Sequence, residues 1–168
     1  MKTIKSRLPE NSLLKNIPHD YVDSYSIALD AKDLTIEQVG ISFFTSGPAW
    51  VDWLLVTRNR IVSMIGLKIP GAGTKEEVLR NFHCEVGECV GLFNILAKSE
   101  NEVILGEDDK HLDFRVSLFL DRPKNLLTVS TLVKIHNNLG HLYMFGVKPF
   151  HKIIVPTTVK GMVTKLEK

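Results

Sequence analysis

The sequence predicts an α+β domain, an antiparallel sheet covered by a long C-terminal helix. Three observations predict it. Four strand-like runs succeed one another from Leu92 with only short polar turns between them, which makes neighbouring strands antiparallel. The last two runs each carry one largely apolar face, and such faces demand a cover. The segment from Leu139 to Glu167 follows at once and reads as largely helical, so it is the natural cover.

Each element has its own justification, taken in chain order. Residues 1–19 contain Pro9, Pro18 and scattered polar residues, with only Leu13, Leu14 and Ile17 to bury, and are expected to form an irregular arm lying over the body. A single domain is expected over residues 20–168. Within it, YVDSYSIAL sets Val22, Ser24 and Ser26 against Tyr25, Ile27 and Leu29, the alternation of a first strand. Thr35 with Gln38 three residues on is a capping-box pattern and opens a short helix to about Phe44. A second helix is expected from Ser46 to Gly66, with Pro48 in its first turn and Trp50, Trp53, Leu54, Thr57 and Ile61 on one face.

Residues 67–91 carry the weakest pattern. PGAGTKEE lacks the GxxxxGK[ST] spacing of a phosphate loop and follows no strand, so it reads as a connection. FHCEVGECV is ambiguous between loop and strand. From Leu92 the runs are LFNILAK, EVILGE, HLDFRVSLFLD and NLLTVSTLVKIH. The third puts Leu112, Phe114, Val116, Leu118 and Leu120 on one face, and the fourth does so with Leu127, Val129, Thr131, Val133 and Ile135. In the C-terminal helix, Leu142, Phe145, Phe150, Ile153 and Ile154 are expected to form the inward stripe, and Pro149 and Pro156 to kink or break it by removing backbone donors.

Composition narrows the function classes. With 168 residues, 44% hydrophobic and 24% charged, the chain is globular, and a net charge of +2 spread along it gives no basic stripe for nucleic acid. MKTIKSRLPENSLLKNIP lacks the apolar core of an export signal, and no run is long enough to span a membrane. A cytoplasmic protein is expected. Cys84 and Cys89 in HCEVGEC do not have zinc-site spacing and have no second pair, so two reduced thiols are expected and no metal. No cofactor is expected either, since neither a GxSxG elbow nor a phosphate loop is present.

The order of elements resembles the helix-grip fold of the START-like superfamily (SRPBCC), which includes Bet v 1-like carriers and polyketide cyclase-like enzymes. In that fold a curved antiparallel sheet wraps the C-terminal helix, two short helices follow the first strand, and a cavity lies between sheet and helix. More closely, DYVDSYSI at 20–27, PAWVDWLLVTRNRIVSMIGL at 48–67, LGEDDKHLDFRVS at 105–117 and HNNLGHLYMFGVKPFH at 136–151 resemble a bacterial family of unknown function. Members of that family are sometimes fused to NmrA-like NAD(P)-binding Rossmann domains. The resemblance implies a fold more than an activity.

On this reading the candidate ligand-binding residues are Trp50, Trp53, Arg58, Asp113, Arg115, His136, Tyr143 and His151. The indoles offer an apolar wall with one donor each, and Arg58 is suited to an anionic head group. Alternation sends His111, Asp113 and Arg115 to the face opposite Leu112 and Phe114, where Asp113 and Arg115 are expected to pair on the solvent side. His136 ends the last strand, Asn137 is placed to cap the C-terminal helix, and Lys148 and His151 share a helix face. The expected function is binding of a small apolar or amphipathic molecule. The alternatives are a polyketide cyclase- or hydratase-like enzyme using His and Asp as acid and base, and an interaction domain that forms a homodimer or docks a Rossmann-type partner.

Overall fold

The computed structural model describes residues 2–31, 33–47 and 79–168. The expected second helix, with Trp50, Trp53 and Arg58, and the PGAGTKEE segment lie outside the described residues.

Among the described residues seven antiparallel strands form one sheet: β1 (Ile4–Lys5), β2 (Tyr21–Ala28), β3 (Cys89–Val90), β4 (Phe93–Lys98), β5 (Glu102–Asp108), β6 (Leu112–Asp121) and β7 (Leu126–Ile135), in the order β1-β2-β7-β6-β5-β4-β3. Two helices are described, α1 (Ile36–Thr45) and α2 (Asn138–Leu166). The meander β4 to β7 is as the turn chemistry predicts. Its second hairpin pairs Asp108 with Asp113, leaving Asp109, Lys110 and His111 in the turn between β5 and β6, and the β6–β7 turn ends on Asn125 at φ +49, a left-handed position that Asn tolerates. A register shift between Ile95 and Ala97 marks a bulge in β4, and bulges bend the strand that carries them.

One strand was not expected, and the sequence leaves another open. β1 makes part of the arm an edge strand, and β3 resolves the ambiguous FHCEVGECV. Both span two residues, too short for any periodic signal, and such short edge strands blunt the sheet against end-to-end pairing.

One side of the sheet faces the helices. There Tyr25, Ile27, Leu105, Val116, Leu118, Leu127 and Val129 meet Val39 and Phe44 of α1 and Val155, Val159 and Met162 of α2 in one core. Phe43, Phe44, Phe93 and Phe114 pack edge to face along it, the geometry that aromatic quadrupoles favour. Thr35 caps α1 through the expected box, accepting from the Gln38 amide at 3.2 Å while the Gln38 side chain accepts from Thr35 N at 2.9 Å. A Cβ added at Gly161 of α2 would meet the Ser46 carbonyl oxygen at 2.6 Å; glycine there lets the end of α1 lie against α2.

The inward stripe of α2 differs from the expected one. Met144, Val155, Thr158, Val159, Met162 and Val163 are buried, whereas Leu142, Phe145, Phe150 and Ile153 are exposed. The helix also runs on through Pro149 and Pro156 for 29 residues. Each proline removes a single i→i−4 bond, and the buried stripe beyond Val155 holds the second half in place.

The arm covers the other side of the sheet. Leu14 is fully buried against Ile104 and Leu132, with Leu8 and Ala97 beside them. Glu102, also buried, accepts from Ser12 Oγ at 2.6 Å, from the Leu13 amide at 2.7 Å and from Ser117 Oγ. A buried carboxylate is tolerable only when its oxygens are satisfied in this way. Beside it a row of hydroxyls, Ser24 to Ser130 at 2.8 Å and Ser26 to Thr128 at 2.8 Å, joins β2 to β7 across the same covered face.

Candidate functional site beneath the C-terminal helix

Alternation along β2 turns Tyr21, Asp23, Tyr25 and Ile27 toward the helix side. Tyr25 and Ile27 belong to the core, and Asp23 stands in the same row at 6% exposure. An acid there requires a partner, and α2 supplies it: His151 Nδ1 lies 3.0 Å from Asp23 Oδ2. Tyr21 donates its hydroxyl to the same oxygen at 2.7 Å. The other oxygen, Asp23 Oδ1, is buried and has no hydrogen-bond partner among the described residues. The Tyr21 ring meets the His151 ring edge-on at 6.2 Å, and the Lys148 ammonium sits 5.3 Å from the Tyr21 ring centroid, within reach of a cation–π attraction. Lys148 and His151, three apart on one helix face, therefore bracket the same tyrosine. Burial first, and the hydrogen bond to Asp23 second, push the Tyr21 phenol above its ordinary range. Burial and then the Asp23 charge also raise Tyr25. Tyr21 is thus held as a neutral donor.

Chemically this is a carboxylate orienting an imidazole. With Nδ1 engaged by Asp23, Nε2 is the nitrogen that meets whatever enters, and a half-buried His 21% exposed at its side chain is reachable from solvent. Tyr21 supplies a neutral donor and Lys148 a positive charge. Asp23 Oδ1 supplies a desolvated acceptor with an unmet demand for a donor.

The remaining expected residues fall elsewhere. Asp113 and Arg115 turn away from the helix, as alternation indicated, but they do not pair with each other. Arg115 bonds the Asp108 carboxylate and the carbonyls of Glu107 and Phe114, the last at 2.9 Å, while Asp113 Oδ2 lies 3.0 Å from His136 Nε2. The strand turn explains the exchange: Asp108 lies directly across the hairpin from Asp113, so Arg115 reaches diagonally to the acid that Asp113 leaves open. His136 is therefore on the side opposite His151. Tyr143 lies half exposed on α2. Asn137 caps α2 by accepting from the Gly140 amide at 3.1 Å, and it donates to the Lys110 carbonyl at 3.0 Å and touches His111. The hairpin tip is thus tied to the start of the helix.

Two open grooves lie away from this site. One, of about 570 Å3, is lined by Thr35, Glu37, Glu85, Lys98 and Arg122, and a smaller one of about 290 Å3 by Leu29, Leu34 and Asn125. No group of three or more His, Cys, Asp or Glu among the described residues is arranged to hold a metal. Cys84 is buried and Cys89 exposed, both free, and burial raises both thiols, Cys84 to about 11. Among the described residues no helix is long and apolar enough to cross a membrane.

Sequence reasoning named His151 as a candidate and did not name Asp23 or Tyr21. The signal was present: Asp23 occupies the row of Tyr25 and Ile27, and an acid on the apolar face of a strand is out of pattern.

A curved antiparallel sheet against one long helix, with a carboxylate–imidazole pair between them, defines an α+β domain with a polar centre under its C-terminal helix. The chain belongs to the family described as "Protein of unknown function (DUF2867)", whose model matches residues 18–158. No curated protein and no solved structure matches it.

Proposed function

We propose that this protein is a START-like helix-grip domain that binds a small amphipathic molecule between β2 and the first half of α2. The polar part of that molecule meets Asp23, His151 and Tyr21. The observation that carries the reading is the buried Oδ1 of Asp23, without a hydrogen-bond partner among the described residues. A desolvated carboxylate oxygen costs about 1–3 kcal/mol when unpaired, and a ligand hydroxyl or amine offsets that cost. Binding sites of this kind are mostly apolar with a few placed polar groups, which matches one acid, one imidazole and one phenol beside the core of Tyr25 and Ile27. Native mass spectrometry of gently purified protein, before and after organic extraction, tests the reading. A bound species present in the wild type and lost from Asp23→Leu is expected. Identical masses before and after extraction overturn the proposal.

A second reading is favoured by the 3.0 Å contact between Asp23 and His151: an enzyme in which His151 moves a proton and Asp23 holds its ring. It differs in consequence. Turnover of the extracted molecule by the wild type, abolished in His151→Gln while binding persists, selects it over simple binding.

A further inference from the structure

The first half of α2 presents an apolar stripe to the outside. Leu142, Phe145, Phe150 and Ile153 are 68%, 80%, 52% and 60% exposed. With Gly146 and Pro149 between them they fall at i, i+3, i+4, i+7, i+8 and i+11, one continuous face of a helix, about 16 Å long at 1.5 Å per residue. The opposite face of the same turns carries Met144 and His151 into the protein, so the stripe is surplus to the core formed among the described residues. A soluble surface seldom leaves four large side chains this open in a row.

Charge says what covers it. Residues 138–166 contain Lys148, Lys152, Lys160 and Lys165 and no Asp or Glu, and Lys148 and Lys152, both exposed, flank the stripe. The arm adds to this sign, since Thr3 donates to the Pro156 carbonyl at 3.4 Å and Lys5, opposite Tyr25 in register, shares the helix side of the sheet. Two copies meeting through this face would bring their lysines together, which disfavours a homodimer. The four side chains stand out from the helix into solvent, an arrangement that a fluid interface accommodates. Tyr143 sits at the margin with its hydroxyl available, as aromatic residues do at lipid head-group depth.

We infer that this face of α2 docks the protein on anionic lipid, with Leu142, Phe145, Phe150 and Ile153 entering the interface and Lys148 and Lys152 meeting the phosphates. The contact is peripheral. It shares Lys148 with the candidate site, but none of the four apolar residues touches Asp23 or Tyr21 in the interactions described above.

Flotation of the full chain with vesicles tests it, using phosphatidylcholine alone and phosphatidylcholine mixed with phosphatidylglycerol. Flotation with the mixed vesicles only is expected, weakening as salt is raised. Phe145→Gln is expected to abolish it, with Leu142→Gln as the second variant should the first not fold. Lys152→Gln is expected to lower the partition coefficient about fivefold at low salt. Absence of flotation with mixed vesicles, or equal flotation with neutral ones, overturns the inference. So does a sedimentation-detected dimer that Phe145→Gln dissolves in protein that does not float.

Discussion

His151 reaches from α2 to place Nδ1 3.0 Å from Asp23 Oδ2, a contact spanning 128 positions of chain. It joins the first long strand to the last helix at a point where neither could tolerate its polar group alone. Asp23→Ala removes the acceptor shared by His151 and Tyr21 and leaves both groups to find water. A loss of about 2 kcal/mol is expected, measured by urea unfolding, and Tyr21→Phe is expected to lose about half as much. An unchanged midpoint in Asp23→Ala would mean that the pair carries no structural weight.

The arm is fastened by Glu102. Replacing it with Ala deprives Ser12, Leu13 N and Ser117 of one buried acceptor, and about 3 kcal/mol of destabilisation is expected for three charge-assisted bonds to one group. Ser12→Ala alone is expected to cost about 1 kcal/mol. Because the two residues share a bond, a double-mutant cycle should show coupling, and additive effects would place the latch elsewhere. Limited proteolysis provides a second readout, with cleavage in residues 6–17 appearing in Glu102→Ala well before the body is cut.

Alkaline pH should loosen the fold. Burial raises the Cys84 thiol from 9.0 to about 11, and burial with the Asp23 hydrogen bond raises Tyr21 above its ordinary 10.0. Both groups are thus favoured in their protonated, neutral forms when folded. The stability tied to Cys84 is complete below pH 9 and is lost as pH rises toward about 11, with the Tyr21 contribution starting to fall above pH 10. Urea midpoints measured in steps across that window, under reducing conditions, should decline, and Cys84→Ala should flatten the first part of the slope.

Asn137 both caps α2 and pins the hairpin tip through the Lys110 carbonyl. Asn137→Ala is expected to lower stability by about 1–2 kcal/mol, read by thermal or urea unfolding. Hydrogen exchange should locate the loss at the first turn of α2 and at residues 109–111 together. Protection lost at only one of these would separate the two roles.

Local signals were readable and long-range ones were not. Thr35 and Gln38 announced α1 because a capping box is complete within four residues, and the short polar turns between Leu92 and His136 announced the meander for the same reason. The apolar stripe of α2 was read at the right spacing and assigned the wrong direction. Periodicity states that Leu142, Phe145 and Ile153 share a face, but only packing decides whether that face or the one with Met144 and Val155 turns inward. Asp23 was out of pattern on its strand, but the group it meets was not legible because His151 is 128 positions away, and the same holds for Glu102, since Ser12 lies 90 positions before it. The two-residue strands β1 and β3 are defined by backbone pairing alone, which leaves no side-chain pattern to find.

The hydroxyl row between β2 and β7 joins Ser24 to Ser130 over 106 positions. A chain emerging from a ribosome therefore exposes its arm and its first long strand long before their neighbours exist, while the meander from β4 to β7 is able to close on its own. Closing so large a loop is slow compared with making hairpins. The beginning of the chain is then the last part to be built in, and until it docks, β7 presents a bare edge that any other extended chain can take.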